Sequence, residues 1–180
     1  MEKLSRKTES GRFNMKNRIY IIGVSTSGKT TLAKKLAKKI NCECFNLDDL
    51  YWKKKYTRAR TKREMESIVK STIKKKKWVI EGSYSEGNWV RWIAKKSDAV
   101  LWLDIPRHTL TWRIIKRPFT RQKPNPKHSR INEIFVLLRF LKRYKTGKPQ
   151  KIHQHLVETH PRGYILKSNR QINKFIRNFK

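Results

Sequence analysis

The chain has 180 residues, of which 46 are Lys or Arg and 13 are Asp or Glu, a formal net charge of +33. That length suits one domain of ordinary size, and 37% hydrophobic residues with six Trp, six Tyr and seven Phe exclude a disordered basic tail. No apolar run approaches the roughly 18 residues of a membrane span, and two cysteines, Cys42 and Cys44, are too few for a disulfide framework or a four-thiolate zinc site. A reducing, cytoplasmic compartment is the expectation.

Residues 1–17 are charged and polar, with no apolar core of a secretory signal, and are expected to form a flexible basic leader. Ile19-Tyr20-Ile21-Ile22 has the composition of a buried strand ending at Gly23. Leu32, Leu36 and Ile40 then recur at helical spacing. Glu43 to Leu47 is expected as a second strand ending at Asp48-Asp49, with Cys42 and Cys44 as small buried residues there. A basic stretch from Lys53 to Arg63 leads into a helix whose core face holds Met65, Ile68, Val69 and Ile73. Trp78 to Ile80 reads as a third strand running into Glu81-Gly82, Asn88 to Ala94 as a short helix, and Ala99 to Leu103 as a fourth strand ending at Asp104. A helix is predicted from Arg107 to about Arg117. The segment 118–130 has three prolines and no regular period, which predicts a loop, here a lid.

Ile131 to Tyr144 is a predicted helix with Ile134, Phe135, Leu138 and Leu141 inward, stopping near Gly147 and Pro149. Tyr164 to Leu166 is a fifth strand, and Ile172, Phe175, Ile176 and Phe179 line a last helix. His153, His155 and His160 have no metal-ligand spacing and read as surface or helix-face residues, and the tryptophans read as mostly core, Trp52 excepted. Strands alternating with helices imply an α/β fold with a mostly parallel five-stranded sheet covered on both faces. Residues 18–180 form one domain in this reading.

Gly23-Val24-Ser25-Thr26-Ser27-Gly28-Lys29-Thr30 matches G-x-x-x-x-G-K-[ST], between a strand and a helix as the motif requires. The N–H groups of such a loop, from Gly23 through Ser25 and Ser27 to Thr31, with the helix N-terminus behind them, cradle phosphates. Lys29 meets the β- and γ-phosphates of ATP, and the Thr30 hydroxyl is a ligand for Mg²⁺. The bland reading is a glycine-rich turn with a surface lysine.

Ligands of open α/β sheets collect at the carboxyl ends of the strands, where Asp48, Glu81 and Asp104 fall. Each carboxylate can take a proton from an acceptor hydroxyl or hold Mg²⁺. Asp48 is the candidate catalytic residue, and Glu81 and Asp104 join Thr30 as metal candidates; helix capping and pairing with Lys or Arg are the structural alternatives. Arg113 and Arg117 are four residues apart and share a helix face. Arg117 and Arg121 are placed to neutralise a transferring phosphoryl, and Arg113 to hold nucleotide, against the alternative of a solvated basic face.

The segments GVSTSGKTTLAKKLA, NLDDLYW, WVIEGSYS, VLWLDIPRHTLTWRIIKR and YILKSNRQINKFI together resemble the DNA topology modulation proteins, a branch of the adenylate-kinase-like P-loop kinases. The resemblance spans roughly residues 18 to 179. It implies a P-loop kinase fold of strand order 2-3-1-4-5 with ATP phosphates on Gly28, Lys29, Thr30 and Thr31. It implies an acceptor site near Asp48, Tyr51 and Trp52, lid arginines at Arg113, Arg117 and Arg121, and adenine beside Ser168 and Asn169. Glu81 departs from the Asp more usual before the glycine there, and Ser83 from Asn.

The cations cluster: Lys53 to Lys77 holds twelve Lys or Arg against two acids, and Phe119 to Lys151 ten against one. Counterion release favours polyanion binding at such a charge. The expected function is Mg²⁺-dependent transfer of the ATP γ-phosphoryl to a small acceptor. The alternative is an ATP-binding protein of weak or no kinase activity whose main partner is DNA or RNA, bound without base specificity.

Overall fold

The computed structural model describes residues 17–54, 57–120 and 129–179. The predicted leader lies outside these residues apart from Asn17, as do Arg121 and most of the predicted lid. The elements run β1 (Arg18–Gly23), α1 (Lys29–Ile40), β2 (Cys44–Asn46), α2 (Leu47–Tyr51), then a hairpin of β3 (Trp52–Lys54) and β4 (Arg58–Ala59). Next come α3 (Lys62–Ile73), β5 (Trp78–Gly82), α4 (Asn88–Lys96), β6 (Ala99–Leu103) and α5 (Arg107–Thr120). After α6 (Arg130–Thr146) and α7 (Lys148–Thr159), β7 (Gly163–Leu166) and α8 (Asn169–Asn178) close the sequence of elements.

β1 is central to a parallel sheet ordered β2-β5-β1-β6-β7, the order the resemblance implied. Successive side chains of a strand point to opposite faces, and that period sorts the core into two layers. Ile19, Ile21, Val79 and Leu101 pack with Leu36 of α1, Ile114 of α5, Leu141 of α6 and Phe175 of α8. Tyr20, Ile22, Ile80 and Val100 pack on the other face with Val69 of α3, Ile93 of α4 and Val157 of α7. Full burial of one such side chain contributes about 1.5–3 kcal/mol, so the central strands carry much of the stability.

Local chemistry sets the helix ends. α3 opens on a capping box: Glu64 N–H donates to Thr61 Oγ1 at 3.3 Å, and Thr61 N–H donates to Glu64 Oε2 at 2.8 Å. α1 stops at Asn41, which adopts a left-handed φ of 51°. Gly147 and Pro149 do end α6, but the proline sits in the first turn of α7, where its missing N–H costs nothing. Local sequence marks Pro149 only as a stop, so neither α7 nor the β3–β4 hairpin is among the sequence expectations.

Other expectations need correction. α5 continues through Pro118 to Thr120, so the first residues of the predicted lid are helical. Phe135 is not inward but 67% exposed, because the buried face of α6 is centred on Glu133, Leu141 and Tyr144. Trp112, at 57% exposure, is the most exposed of the tryptophans. Cys44 is exposed, since β2 is a three-residue strand at the sheet edge. His153 is fully buried rather than on the surface. Among the described residues no helix is long and apolar enough to cross a membrane.

Candidate active site

The loop between β1 and α1 is built for close approach. Gly23 has φ +146°, and a Cβ there would lie 2.9 Å from the Leu103 carbonyl oxygen. Gly28, the residue before α1, has φ +100°, a conformation that L side chains rarely adopt. The N-terminus of α1 has neither a side-chain cap nor an acidic residue in its first turn. Its first N–H groups therefore receive no capping side chain from α1 itself. The Ser27 hydroxyl beneath the loop is buried and finds no hydrogen-bond partner. These features fit a phosphate chain.

Lys29 is 7% exposed and donates from Nζ to the Val24 carbonyl at 2.8 Å. Burial lowers its pKa to about 8, and the charge of Arg117 pushes the same way; Glu81 and Asp48 oppose them. Those three groups act on Lys29 from three separate elements, so the fold has brought together residues up to 88 positions apart in the chain.

Strand register puts the second acid in place. β1, β5 and β2 align Ile21, Glu81 and Asn46 side by side. Glu81, buried at 2% exposure, accepts at Oε1 from the exposed Thr30 hydroxyl at 2.7 Å and from Asn46 Nδ2 at 2.6 Å. Asn46 turns its Oδ1 to accept from the Asp48 N–H at 2.7 Å, capping α2. It thus links the buried carboxylate to the helix that carries the exposed Asp48. Sequence reasoning missed Asn46; its signal was its place as the last residue of a strand beside the one ending in Glu81.

Arg60 was also missed. Its Nη1 donates to the carbonyls of Leu50 at 2.6 Å, Trp52 at 3.0 Å and Asp49 at 3.3 Å, clamping the end of α2. Tyr51, the last residue of the helix that carries Asp48 and Asp49, meets Trp52 edge-on with ring centroids 5.1 Å apart and Tyr84 at 5.5 Å.

Asp104, at the end of β6, is held by Lys145 of α6 at 2.6 Å rather than by Thr30. Arg113 spans the loop and α8: it donates to the Ser27 carbonyl at 2.9 Å, the Thr26 carbonyl at 3.3 Å and Asn169 Oδ1 at 2.7 Å. Burial lowers its pKa. Arg117 lies 3.7 Å from Glu133 of α6. Ser168 caps α8, accepting from the Gln171 N–H at 3.2 Å, and Thr31 is exposed in the first turn of α1. Arg121 lies outside the described residues. Among those residues no group of three His, Cys, Asp or Glu could enclose a metal. Thr30 and Glu81 supply only two oxygen ligands, a number suited to Mg²⁺, which completes its shell with phosphates and water.

No family model matches the chain. An uncharacterized protein of Bacillus subtilis (strain 168), YqaC, is 29% identical over 108 residues, 59% of this chain, and the match spans 60% of that protein's length. Shikimate kinase from Bacteroides thetaiotaomicron superposes with a TM-score of 0.60 at 14% identity, covering 89% of this chain and 94% of that one. Shikimate kinase from Acinetobacter baumannii, in complex with shikimate, gives 0.58 at 17% identity, covering 91% and 90%. A gluconokinase from Sinorhizobium meliloti 1021 gives 0.53 at 12% identity, covering 91% and 89%. At these identities the likeness is one of fold, and the fold is that of the P-loop kinases.

Proposed function

We propose that the protein is a kinase that moves the γ-phosphoryl of ATP to a hydroxyl of a small acceptor. The observation that carries this reading is the convergence of Lys29, Thr30, Glu81, Asp48 and Arg117 on one loop whose helix has no side-chain cap at its N-terminus. The fold neighbours, shikimate kinases and a gluconokinase by name, support a small acceptor.

In this reading the loop N–H groups from Gly23 to Thr31 and Lys29 hold the phosphates, while Arg113, Ser168 and Asn169 border the base. The Thr30 hydroxyl and Glu81 would hold Mg²⁺, which would supply neutralisation of phosphate charge. Asp104 supports that ligand set from β6 when Lys145 releases it. Asp48 takes the hydroxyl proton as the acceptor oxygen bonds to phosphorus and the bridging bond to ADP breaks. Arg117 and Arg121 offset the charge that gathers on the moving phosphoryl.

The test is phosphoryl transfer from labelled ATP across nucleosides, nucleotides, sugars and polyol acids. An acceptor-dependent product with wild type, absent with Lys29→Ala and reduced about 10²–10⁴-fold with Asp48→Asn, supports the reading. ATP binding unchanged in a folded Lys29→Ala variant would sink it.

A further inference from the structure

Two cavities between α4 and α7, one of about 540 Å³ and one of about 550 Å³, share Arg91 and Leu156 and so form one continuous groove. None of its lining residues belongs to the phosphate-binding loop. Its walls carry Arg91 and Lys95 from α4, Lys148 and Lys151 from α7, and Arg162 just beyond α7, all on exposed positions. Of the two acids that border it, Asp98 is taken up by Arg18, leaving Glu86 at one end. Its floor is apolar: Val90, Ala94, Ile152 and Leu156.

This pattern has a periodic origin. Lys148, Lys151, His155 and Leu156 fall at helical spacing on one face of α7, while His153 and Val157 on the adjoining face are buried against the sheet. α7 has 12 residues, so at 1.5 Å rise the groove runs for about 18 Å. A cleft of that form, with cations on the rims and an apolar floor, matches a backbone of regularly spaced phosphates whose unpaired bases or sugars need an apolar surface. A duplex keeps its base faces stacked inside and has no use for the floor. A second copy of this chain, itself at +33, is repelled.

We infer that the groove between α4 and α7 is a binding surface for single-stranded nucleic acid, separate from the phosphate-binding loop and without base specificity. The surface shares Lys148 and Lys151 with the second basic segment that the sequence singles out, whereas Arg91, Lys95 and Arg162 lie outside both segments.

The test uses the full chain and a fluorescent oligo-dT, with affinity measured by anisotropy across salt concentration. A comparison site controls for bulk charge: the cavity of about 570 Å³ between α1 and α8, bordered by Lys35, Arg170 and Arg177. Lys148→Gln with Lys151→Gln and Lys35→Gln with Arg177→Gln remove the same charge from exposed positions. With a slope of about −0.7 per neutralised phosphate on a single strand, the first pair flattens the log–log salt dependence by about 1.4 and weakens binding roughly 25-fold at 0.1 M salt. The second pair leaves both nearly unchanged. Equal losses from the two pairs would show bulk charge at work and overturn the assignment, as would no retention by wild type at low salt. Preference for duplex, or displacement by polyglutamate at equal charge, would overturn the nucleic-acid strand as the occupant.

Discussion

Lys29 is a buried cation waiting for an anion. Its pKa of about 8 means that the free protein loses this charge just above neutral pH. Nucleotide affinity should accordingly fall as pH rises through about 8, followed by fluorescent-nucleotide titration from pH 6.5 to 9.5. Glu81 raises that pKa, so Glu81→Gln should move the fall to lower pH while the amide oxygen still accepts from Thr30 and Asn46. A fall unmoved by the substitution would separate Glu81 from Lys29. The folded pKa also lies below the unfolded value of 10.5, so the unfolded chain holds the proton longer. Stability of the free protein should rise from about pH 8 to 10.5, a limb missing in Lys29→Met. His153 titrates by the same logic at acid pH. Its Nε2–H donates to the Tyr84 carbonyl at 3.0 Å, so Nδ1 accepts from the Tyr144 hydroxyl at 2.7 Å, which in turn accepts from Trp102 Nε1 at 3.0 Å. Burial lowers its pKa from 6.5 to about 4. The unfolded chain binds a proton between those values and the native one does not, so stability is lost on acidification across that window. The loss is of the order of 3 kcal/mol, and denaturant midpoints of His153→Gln should lack it.

At the scale of elements, α2 is too short to hold itself: five residues carrying Asp48. Arg60 does the holding through three carbonyls. Arg60→Leu should raise the acceptor KM and lower kcat about tenfold or more, with ATP affinity nearly unchanged, because the displaced group is Asp48 and not the loop. An equal loss of ATP affinity would place Arg60 in a wider structural role. At the other end of the sheet, β7 packs against α7 so closely that a Cβ on Gly163 would lie 1.9 Å from the Val157 carbonyl oxygen. Gly163→Ala must separate the two elements. About 3 kcal/mol of stability should be lost, a fall of roughly 6–12 °C in Tm for a chain of this size by calorimetry. Neither contact is visible in local sequence. Arg60 sits in a run of cations, and Gly163 follows α7, which lacks a strong apolar stripe because its inward residues are His153 and Val157.

Across the whole molecule, +33 is a standing cost to the compact state, since 46 cations repel one another and only 13 acids compensate. Screening length falls from about 10 Å at 0.1 M salt to about 3 Å at 1 M. Sodium chloride should therefore raise Tm steadily over that range by scanning calorimetry, whereas a protein held by its surface ion pairs would lose stability. The charge is not spread evenly. Five of the cations rim the α4–α7 groove on one side of the sheet, while the two core layers hold almost none of the charge. A polyanion that binds there should stabilise the protein in proportion to its concentration over its dissociation constant.

What the sequence by itself determined is what depends on near neighbours. The loop from Gly23 to Thr30 and the alternation of strand and helix are written within a few positions, because backbone conformation and side-chain period are local properties. The parallel sheet follows from those. Tertiary structure alone decided which distant groups meet: Asn46 with Glu81 across 35 residues, Arg113 with the loop across 86, His153 with Tyr84 across 69. It decided too that Asp104 pairs with Lys145, and that Phe135 faces outward although the spacing pointed it in. Helical period says which residues share a face, but only the packing of the neighbouring helices says which face is covered. Strand order and register, set by the whole chain, then choose which of many carboxylates stands beside Thr30.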